Sequence, residues 1–303
     1  MLDITCIILT FNEEIHIQRC IEKIKPLAKD IFVVDSYSTD KTVEMAERLG
    51  AKVYQNKWEL NYARQFNWAL DNLPIKTEWV FRLDADEYLS DNLIEEIKSK
   101  LALLNADVSG IAFNCQRIFM NSLIKRGIVK LILLRLFRFG NGRCEERWMD
   151  EHIYISEGNT VVFSNPFFDH NLNNIGWWTQ KHNGYSIREA IDYLNIEFQL
   201  IPEQKEKDNK QFVNHASAVR KKKLKYVKLP LFWRAFFLFI YRYFFKLGFI
   251  NGKEGFLWHF LQGWWYRTLV DAKIFEIKKN CGSDKEKILK YIKDNYNIDL
   301  SKQ

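Results

Sequence analysis

Paired cysteines, a secretory leader and a long uncharged apolar run are not found in this 303-residue sequence. The five cysteines are odd in number, scattered and without metal-site spacing, which favours a reduced, cytosolic setting over a disulfide-stabilised one. No basic region precedes the first apolar residues, so we expect no signal peptide. In the apolar C-terminal stretch the longest uncharged run is residues 235–241, which is too short to span a bilayer. No internal repeat or low-complexity linker stands out.

The composition is that of a folded protein with an anionic partner. Hydrophobic residues make up 47% and aromatic residues 15% of the chain, which excludes a disordered protein. The length allows one large domain, or one domain with an appendage. The net charge of +7 favours nucleic acid, anionic lipid or a phosphorylated substrate as the partner.

The first hundred residues alternate between strand and helix patterns. Strands are predicted at residues 4–9, 31–34, 51–54 and 79–83, and helices after Asn12, after Asp40, at 60–73 and at 93–104. This alternation predicts βαβ units and a mostly parallel sheet. Ligands of such sheets bind outside the carboxyl ends of the strands. We therefore expect one crevice, formed by residues at those ends: Thr10, Asn12, Asp35, Asp84 and Asp86.

Asp84 and Asp86 stand two residues apart at the end of the predicted strand at 79–83. Two like charges side by side are unfavourable unless a cation lies between them. Mg²⁺ or Mn²⁺ is the expected cation, and such ions usually bridge a carboxylate to the phosphates of a substrate. The pair therefore predicts a site for a diphosphate group.

The middle of the chain predicts an antiparallel addition to the sheet. Longer strands are expected at residues 109–120 and 131–139, further strands at 148–155 and 160–163, and a helix at 175–195. The dipeptide Asn141-Gly142 predicts a hairpin turn.

The last hundred residues combine a basic cluster with an aromatic stretch at 229–247. Arg234 interrupts that stretch, and a central arginine costs roughly 2.5–3.5 kcal/mol on membrane-insertion scales. We therefore expect helices that lie on an anionic membrane surface. The alternative is a helical hairpin, 233–247 against 256–275, which packs on its own core. The basic cluster consists of Arg220, Lys221, Lys222, Lys223, Lys225 and Lys228.

Four motifs, in this order, carry a family resemblance: Thr10-Phe-Asn-Glu-Glu14, Val34-Asp35-Ser-Tyr-Ser-Thr-Asp40, Tyr62-Ala-Arg-Gln-Phe-Asn67 and Leu83-Asp-Ala-Asp-Glu87. Together they resemble the family 2 glycosyltransferases, in particular the branch that builds lipopolysaccharide core and related surface glycans. The resemblance implies a GT-A fold, an α/β nucleotide-sugar-binding domain, placed here at residues 1–200. A helical, membrane-associating region at 201–303 would follow. The implied reaction is inverting transfer from a nucleotide sugar.

The resemblance also implies roles for individual residues. Phe11 matches an aromatic that stacks on the nucleobase, Asp35 a carboxylate that accepts hydrogen bonds from base or ribose, and Arg64 an arginine that faces the diphosphate. The alternatives are a core position for Phe11, a helix cap for Asn12 and a solvated helix position for Arg64. The full set of residues implied to bind the nucleotide sugar is Thr10, Phe11, Asn12, Glu14, Asp35, Arg64 and Asp84.

The same resemblance implies a metal site and a base. Asp86 is the expected ligand of Mg²⁺ or Mn²⁺, with Asp84 beside it, and His170 is either a further ligand or a structural histidine. Glu151 matches the carboxylate that takes the proton of the acceptor hydroxyl, and Asp150 is the alternative base.

The expected donor is a UDP-hexose and the expected acceptor a lipid-linked saccharide, at the cytoplasmic face of a bacterial inner membrane. No nucleic-acid partner is expected. One alternative is a sugar nucleotidyltransferase, but the glycine-rich basic loop of those enzymes is not found after the first predicted strand. The other is a non-catalytic nucleotide- or membrane-binding protein, which the joint presence of Asp35, Arg64, Asp84, Asp86 and Glu151 disfavours.

Overall fold

The computed structural model describes residues 1–59, 61–145, 151–201 and 223–300. The chain divides into two compact units. The described part of the first comes from Met1–Ile124 and Val129–Leu172, and that of the second from Lys125–Ile128 and the residues after Leu172. Compact units need not coincide with functional domains, so the domain boundary predicted at residue 200 stays a prediction.

The first unit is an α/β structure. Its strands are β1 (Ile4–Thr10), β2 (Asp30–Asp35), β3 (Lys52–Gln55), β4 (Trp79–Asp84), β5 (Glu87–Leu89), β6 (Val108–Phe119), β7 (Ser122–Leu123), β8 (Leu131–Arg138), β9 (Gly142–Cys144), β10 (Ile153–Ile155) and β11 (Asn159–Asp169). Its helices are α1 (Ile17–Ile24), α2 (Thr42–Arg48), α3 (Tyr62–Asn72) and α4 (Asp91–Lys100), the last followed by a 3₁₀ turn at Leu101–Leu103.

The main sheet is mostly parallel, with an antiparallel addition, as predicted. Its strand order is β3-β2-β1-β4-β8-β6-β11-β5, with β7 paired to β6. Strands β1 to β4 are parallel to their neighbours among themselves, and β6 is parallel to β11. Strand β8 runs antiparallel between β4 and β6, and β5 runs antiparallel to β11.

The hairpin predicted at Asn141-Gly142 is wrong. The chain does turn there, but Gly142 begins β9, which pairs with β10 in a separate two-stranded sheet. Strand β8, which precedes the turn, pairs with β4 and β6 instead. The dipeptide correctly indicates that the chain turns here. It does not determine which strands pair, because pairing depends on contacts with distant parts of the chain.

Buried apolar residues hold the carboxyl ends of the strands in place. Strand β1 is buried along its whole length. One face of α1 is apolar and packs into the core, since Ile17, Cys20, Ile21 and Ile24 are all fully buried. Full burial of one large aliphatic side chain contributes roughly 1.5–3 kcal/mol, so this packing makes β1 a rigid base for the loop that follows it.

Asn12 does not cap α1, contrary to one of the sequence-based alternatives. The helix begins at Ile17, and the residue before it, His16, makes no capping hydrogen bond through its side chain. Asn12 instead has a left-handed backbone (φ 55°), which asparagine tolerates better than most residues. Its side chain is therefore available to the neighbouring loop.

The second unit is helical. It contains α5 (Ile175–Phe198), α6 (Trp233–Ile240), α7 (Gly252–Trp258), α8 (Tyr266–Cys281) and α9 (Lys285–Tyr296), with π-helical turns at Tyr241–Phe245 and His259–Trp265 and a 3₁₀ turn at Gly248–Asn251. The helix predicted at 175–195 is confirmed as α5. In the part of the chain that the structure describes, no helix is both long and apolar enough to traverse a bilayer.

Two segments of the second unit pack against each other through aromatic rings. Phe236 and Phe239 of α6 contact Trp264, with ring centroids 5.4 Å apart in both pairs. Arg234, the charge that interrupts the apolar stretch, is buried and forms an ion pair with Asp271 of α8. The contacts of the alternative helical hairpin are therefore present, and they leave other aromatic rings of the same stretch exposed.

Candidate active site

The site lies at the carboxyl ends of three adjacent strands. In the parallel register, Thr10 of β1 pairs with Asp35 of β2, and Leu9 pairs with Asp84 of β4. The predicted crevice residues Asp35 and Asp84 thus flank β1 on its two sides. The strand register alone brings them together.

Asp35 is fully buried and anchors the loop after β2. Its Oδ1 accepts hydrogen bonds from the Thr10 hydroxyl (2.9 Å) and the Ser38 hydroxyl, and its Oδ2 accepts one from the Ser38 amide (2.8 Å). A carboxylate oxygen has two lone pairs, so Oδ2 keeps capacity for one further donor. Asp35 therefore holds its own loop, and a ligand could reach Oδ2 only if this fully buried oxygen became exposed.

The loops after β1 and β2 are joined by polar contacts. The Asn12 backbone amide donates a hydrogen bond to the Ser38 hydroxyl (2.8 Å), and the Asn12 side-chain oxygen accepts one from the Thr39 backbone amide (2.8 Å). Glu14 accepts a hydrogen bond from the Lys41 amide (3.1 Å). Asn12 and Glu14 therefore bind the loop after β1 to the loop after β2 at the edge of the crevice.

Phe11 is not a core residue. Its side chain is 57% exposed at the tip of the first loop, next to the buried Asp35 loop. An exposed ring at a ligand-facing strand end is free to stack on a flat base. The core alternative for Phe11 is therefore wrong, and its role in base stacking stays a prediction.

The charge of Asp84 is balanced by two buried arginines, which were missed in the sequence. The Asp84 Oδ2 accepts a hydrogen bond from Arg135 of β8 (3.4 Å), and Arg82 Nη2 lies 3.7 Å from Asp84 Oδ1. Arg82 lies within the strand predicted at residues 79–83. A charged residue inside a buried strand was the sequence signal that could have indicated a charged partner for Asp84. Protein cations therefore already compensate the first carboxylate of the pair.

Glu87 is part of the same buried cluster. Its Oε2 accepts a hydrogen bond from the Asp84 backbone amide (3.0 Å), and its Oε1 forms an ion pair with Arg135. Burial outweighs the charge of Arg135 and raises the pKa of Glu87 to about 8. Arg135 and the Asp84 backbone amide both donate hydrogen bonds to this carboxyl group. Glu87 thus fixes the turn that presents Asp86.

Asp86 is half-buried and faces the crevice rim. Its Oδ2 accepts a hydrogen bond from the Asn171 side chain (3.0 Å), and no described residue donates to its Oδ1. Its backbone carbonyl accepts the His170 amide (3.0 Å), which ties the turn to the end of β11. One carboxylate oxygen of Asp86 thus remains available to a cation.

His170 is held by Arg19 of α1 and by the β6–β7 turn. Arg19 contacts His170 Nδ1 (3.0 Å) and donates to the His170 carbonyl (2.6 Å), and His170 Nε2 contacts Asn121 Oδ1 (3.1 Å). Burial, with the nearby charge of Arg19, lowers the pKa of His170 to about 4, so the ring is neutral. Ligation of a metal would require one of these contacts to break, and the metal role of His170 stays a prediction.

The donor set fits a hard divalent cation shared with phosphate. No group of three His, Cys, Asp or Glu side chains within residues 1–59, 61–145, 151–201 and 223–300 is arranged as an all-protein metal site. Mg²⁺ is instead usually bound by one or two carboxylates together with substrate phosphates and water. Asp86 and Asp84 supply such carboxylates beside a crevice.

Arg64 lies in the first turn of α3, where its backbone amide donates a hydrogen bond to the side chain of the capping residue Asn61. Its guanidinium is partly exposed and lies 3.9 Å from Glu59. Two other residues of the same motif are buried and structural: Gln65 bonds Asn56, and Asn67 exchanges two hydrogen bonds of 2.9 Å with the backbone of Cys144. The role of Arg64 toward a diphosphate stays a prediction.

Glu151 lies on the arm that contains β9 and β10. The Glu145 backbone amide donates a hydrogen bond to the His152 carbonyl (2.9 Å). This bond joins the two segments of the arm next to Glu151. Burial lowers the pKa of Arg82, and the nearby groups Asp84, Cys144 and, least of the three, Glu151 raise it. Asp150 lies outside the described residues, so the choice between the two bases stays open.

Residues 5–149 match the family model described as glycosyl transferase family 2. An uncharacterized glycosyltransferase of Rickettsia bellii is 44% identical over 104 residues, which are 34% of this chain and 34% of that protein. The lipopolysaccharide core biosynthesis glycosyltransferase LpsC of Rhizobium meliloti is 28% identical over 163 residues, which are 52% of this chain and 59% of that protein. The chain thus spans about a third of the length of the first relatives it matches.

Solved structures with partial similarity include glucosyl-3-phosphoglycerate synthase of Mycobacterium tuberculosis with Mn²⁺, UDP and glucosyl-3-phosphoglycerate. It is 21% identical, with a TM-score of 0.32, and covers 37% of this chain and 43% of its own. S. aureus TarS is 14% identical, with a TM-score of 0.41, and covers 64% of this chain and 40% of its own. Similarity at these scores carries no argument about ligands.

Proposed function

We propose that the protein, whose residues 5–149 match the glycosyl transferase family 2 model, transfers a hexose from a nucleotide diphosphate sugar, a UDP-sugar, to a lipid-linked saccharide. The observation that supports this most directly is the strand register, which puts Asp35 and Asp84 on either side of β1. One is a buried hydrogen-bond acceptor beside an exposed aromatic ring, and the other begins a carboxylate pair. Such an arrangement suits a base and a diphosphate at the two ends of one crevice.

In the proposed reaction, Phe11 stacks on the base, Asp35 accepts a hydrogen bond from the nucleoside, and Arg64 contacts the diphosphate. Asp86, with Asp84, would hold Mg²⁺ or Mn²⁺, which when bound supplies Lewis-acid stabilisation of the diphosphate leaving group. The acceptor hydroxyl oxygen forms the new bond to the anomeric carbon as the bond to the diphosphate breaks. Glu151, or Asp150, takes the hydroxyl proton. A single displacement inverts the anomeric configuration.

The metal role is tested with Asp86→Asn and the control Asp91→Asn, an exposed aspartate that pairs with Lys23 on the surface. Calorimetry of UDP binding with Mn²⁺ should show a loss on the order of 10–100-fold for Asp86→Asn, as for other weakened metal sites. The Asp91 variant should bind like the unmodified protein. Equal affinities in the two variants would refute the metal role of Asp86.

The reaction is tested by a panel of nucleotide sugars, with Mg²⁺ or Mn²⁺ and with lipid-linked saccharide acceptors. Turnover of a UDP-hexose is the expected result, and no turnover of any sugar nucleotide would reject the proposal. Glu151→Gln should keep UDP affinity and lose transfer on the order of 10²–10⁴-fold, because general base catalysis contributes about that much. Transfer retained by this variant would assign the base to Asp150 or another group.

We further propose that the second unit binds the cytoplasmic face of the inner membrane. Its apolar stretch exposes large rings, including Trp233 (61%), Phe237 (60%) and Phe245 (74%), while Lys246 beside them is also exposed. Exposed apolar patches are uncommon on soluble monomers, and aromatic rings next to lysines suit the interface of an anionic bilayer. The basic residues Arg220, Lys221 and Lys222 lie outside the described residues.

Flotation with liposomes tests this surface. The triple change of Trp233, Phe237 and Phe245 to Ser should release the protein from phosphatidylglycerol-containing vesicles. Leu103→Ser, at an apolar residue of the first unit that is 80% exposed, is the control and should still float. Equal flotation of the two variants would contradict the membrane assignment, and a concentration-dependent dimer would assign the patch to self-association.

A further inference from the structure

Arg19 of α1 holds the turn between β4 and β5, which carries Asp86, against the end of β11. Its guanidinium donates hydrogen bonds to the backbone carbonyls of His170 (2.6 Å) and Asp86 (3.4 Å). The same guanidinium lies 3.0 Å from His170 Nδ1 and 4.5 Å from the centre of the Tyr88 ring. Because a guanidinium only donates, Nδ1 of His170 is the acceptor in this contact. One side chain thus contacts the residues that surround the candidate cation site.

His16, the residue before α1, holds the chain that follows β11 at a second point. Its Nε2 accepts a hydrogen bond from the Leu172 backbone amide (2.8 Å). The ring proton is therefore on Nδ1, which donates to the Glu13 carboxylate (2.5 Å). His16 is fully buried, so these two bonds fix its ring. With Arg19 on the His170 carbonyl and His16 on the Leu172 amide, the chain is held on both sides of residue 171.

Asn171 is the residue that these contacts place beside Asp86. Its side chain donates a hydrogen bond to Asp86 Oδ2 (3.0 Å), and no described residue donates to Oδ1. The His170 backbone amide donates to the Asp86 carbonyl (3.0 Å). The backbone and the carboxylate of Asp86 are therefore both held by a segment that Arg19 and His16 fix in place.

We propose that Arg19 is a positioning residue, which orients Asp86 so that its Oδ1 meets the cation shared with the diphosphate. Mg²⁺ demands near-ideal geometry from its ligands, so a carboxylate that is displaced or mobile binds it poorly. Residues that hold a ligand without touching the metal typically contribute roughly 10–100-fold to metal affinity. This inference rests on the proposed function and extends it to a residue that touches neither the nucleotide sugar nor the cation.

The test compares Arg19→Met, Arg19→Lys and the control Arg48→Met, which changes an exposed arginine in the last turn of α2. Calorimetry on the whole chain measures UDP affinity twice, once with Mn²⁺ and once with a chelator, and the melting temperature of each variant is recorded.

Arg19→Met should lose UDP affinity on the order of 10-fold with Mn²⁺, as expected for a residue that supports a metal ligand. In the chelator its UDP affinity should stay within about twofold of the unmodified value, because the contribution of Arg19 acts through the cation. Arg19→Lys keeps the positive charge but not the planar fork of donors, so it should recover little of the loss. Arg48→Met should bind UDP like the unmodified protein under both conditions.

A merely structural role would give a different pattern, in which both UDP affinities and the melting temperature fall together. That pattern, an unchanged affinity of Arg19→Met with Mn²⁺, or full recovery by Arg19→Lys would overturn the proposal. If Arg19→Met does not fold, Arg19→Lys decides the matter by the same two affinities. An unmodified protein whose UDP affinity does not depend on Mn²⁺ would reject the metal role in the proposed function and this inference with it. A failure confined to the Arg19 variants would reject only the positioning role.

Discussion

Glu96 of α4 is a buried acidic residue whose hydrogen-bond donors stabilise its charged form. It is 6% exposed, and its carboxylate accepts hydrogen bonds from the Lys100 ammonium (2.8 Å) and from the amides of Ser164 (3.1 Å) and Asn165 (2.9 Å). These amides lie where the ladder between β11 and β6 is interrupted. Glu96 therefore replaces missing sheet hydrogen bonds in the strand that ends next to His170.

The expected loss on Glu96→Gln follows from the pKa. Burial raises the pKa of Glu96, but the bonds from Lys100, Ser164 and Asn165 outweigh it and lower the pKa from 4.5 to about 2. At about 1.36 kcal/mol per pH unit, this difference corresponds to roughly 3 kcal/mol. The lysine is half exposed, so solvent screening reduces its share and we expect roughly 2–3 kcal/mol. Because the folded pKa is the lower one, the stabilisation is complete above pH 5 and is lost as the pH falls toward 2.

Urea unfolding of the unmodified protein, Glu96→Gln and the control Glu95→Gln measures this effect. Glu95 is an exposed neighbour on α4 that pairs with Lys98 on the surface. At pH 6.5 we expect the Glu96 variant to lose roughly 2–3 kcal/mol and the Glu95 variant less than about 0.5 kcal/mol. The difference in unfolding free energy between the two variants should narrow as the pH is lowered to 3. Equal stabilities at pH 6.5, or a gap that widens in acid, would refute the reasoning.

Three further substitutions test a buried hydrogen-bond pair, a close-packed glycine and an exposed helical glycine. Asn67→Ala leaves the backbone N–H and C=O of Cys144 unpaired, and urea unfolding should show a loss of roughly 2–4 kcal/mol, with little change for the exposed Asn72→Ala. Gly110→Ala puts a Cβ 2.9 Å from Leu134 Cδ1, so overpacking should lower the unfolding free energy by roughly 1–3 kcal/mol. Gly184→Ala in α5 meets nothing within 4 Å, so the melting temperature should rise, by the equivalent of roughly 0.5–1 kcal/mol.

The sequence predicts well those features that depend on local pattern and on strand direction. Short runs of mostly apolar residues located β1, β2 and β4, and the rule that parallel strands present their carboxyl ends to the ligand put Asp35 and Asp84 in one crevice. Neither prediction needed to know which strand pairs with which. The hairpin at Asn141-Gly142 did need that knowledge and was wrong, because β9 leaves the main sheet.

The charge balance of the site could not be predicted from residue spacing. Asp84 and Asp86 were expected to need a cation from outside, yet Arg135 reaches Asp84 from a strand 51 residues further along the chain. Arg19 and Asn171, which hold the backbone and the side chain of Asp86, come from segments 67 and 85 residues away in the chain. Such contacts depend on the tertiary arrangement, and only the unusual charge of Arg82 within a buried run signalled them.

This charge balance changes what a divalent cation has to do at the site. Arg82 and Arg135 compensate the charges of Asp84 and Glu87, so the side chains of the site carry little more than the charge of Asp86. A single carboxylate binds Mg²⁺ or Mn²⁺ weakly, because such ions take their remaining ligands from phosphate and water. We therefore expect Mn²⁺ to bind weakly alone and at least tenfold more tightly with UDP, a coupling of about 1.4 kcal/mol that must be reciprocal. Calorimetric titrations of Mn²⁺ with and without UDP measure it, and tight binding of Mn²⁺ alone would show that Asp84 is not neutralised by its arginines.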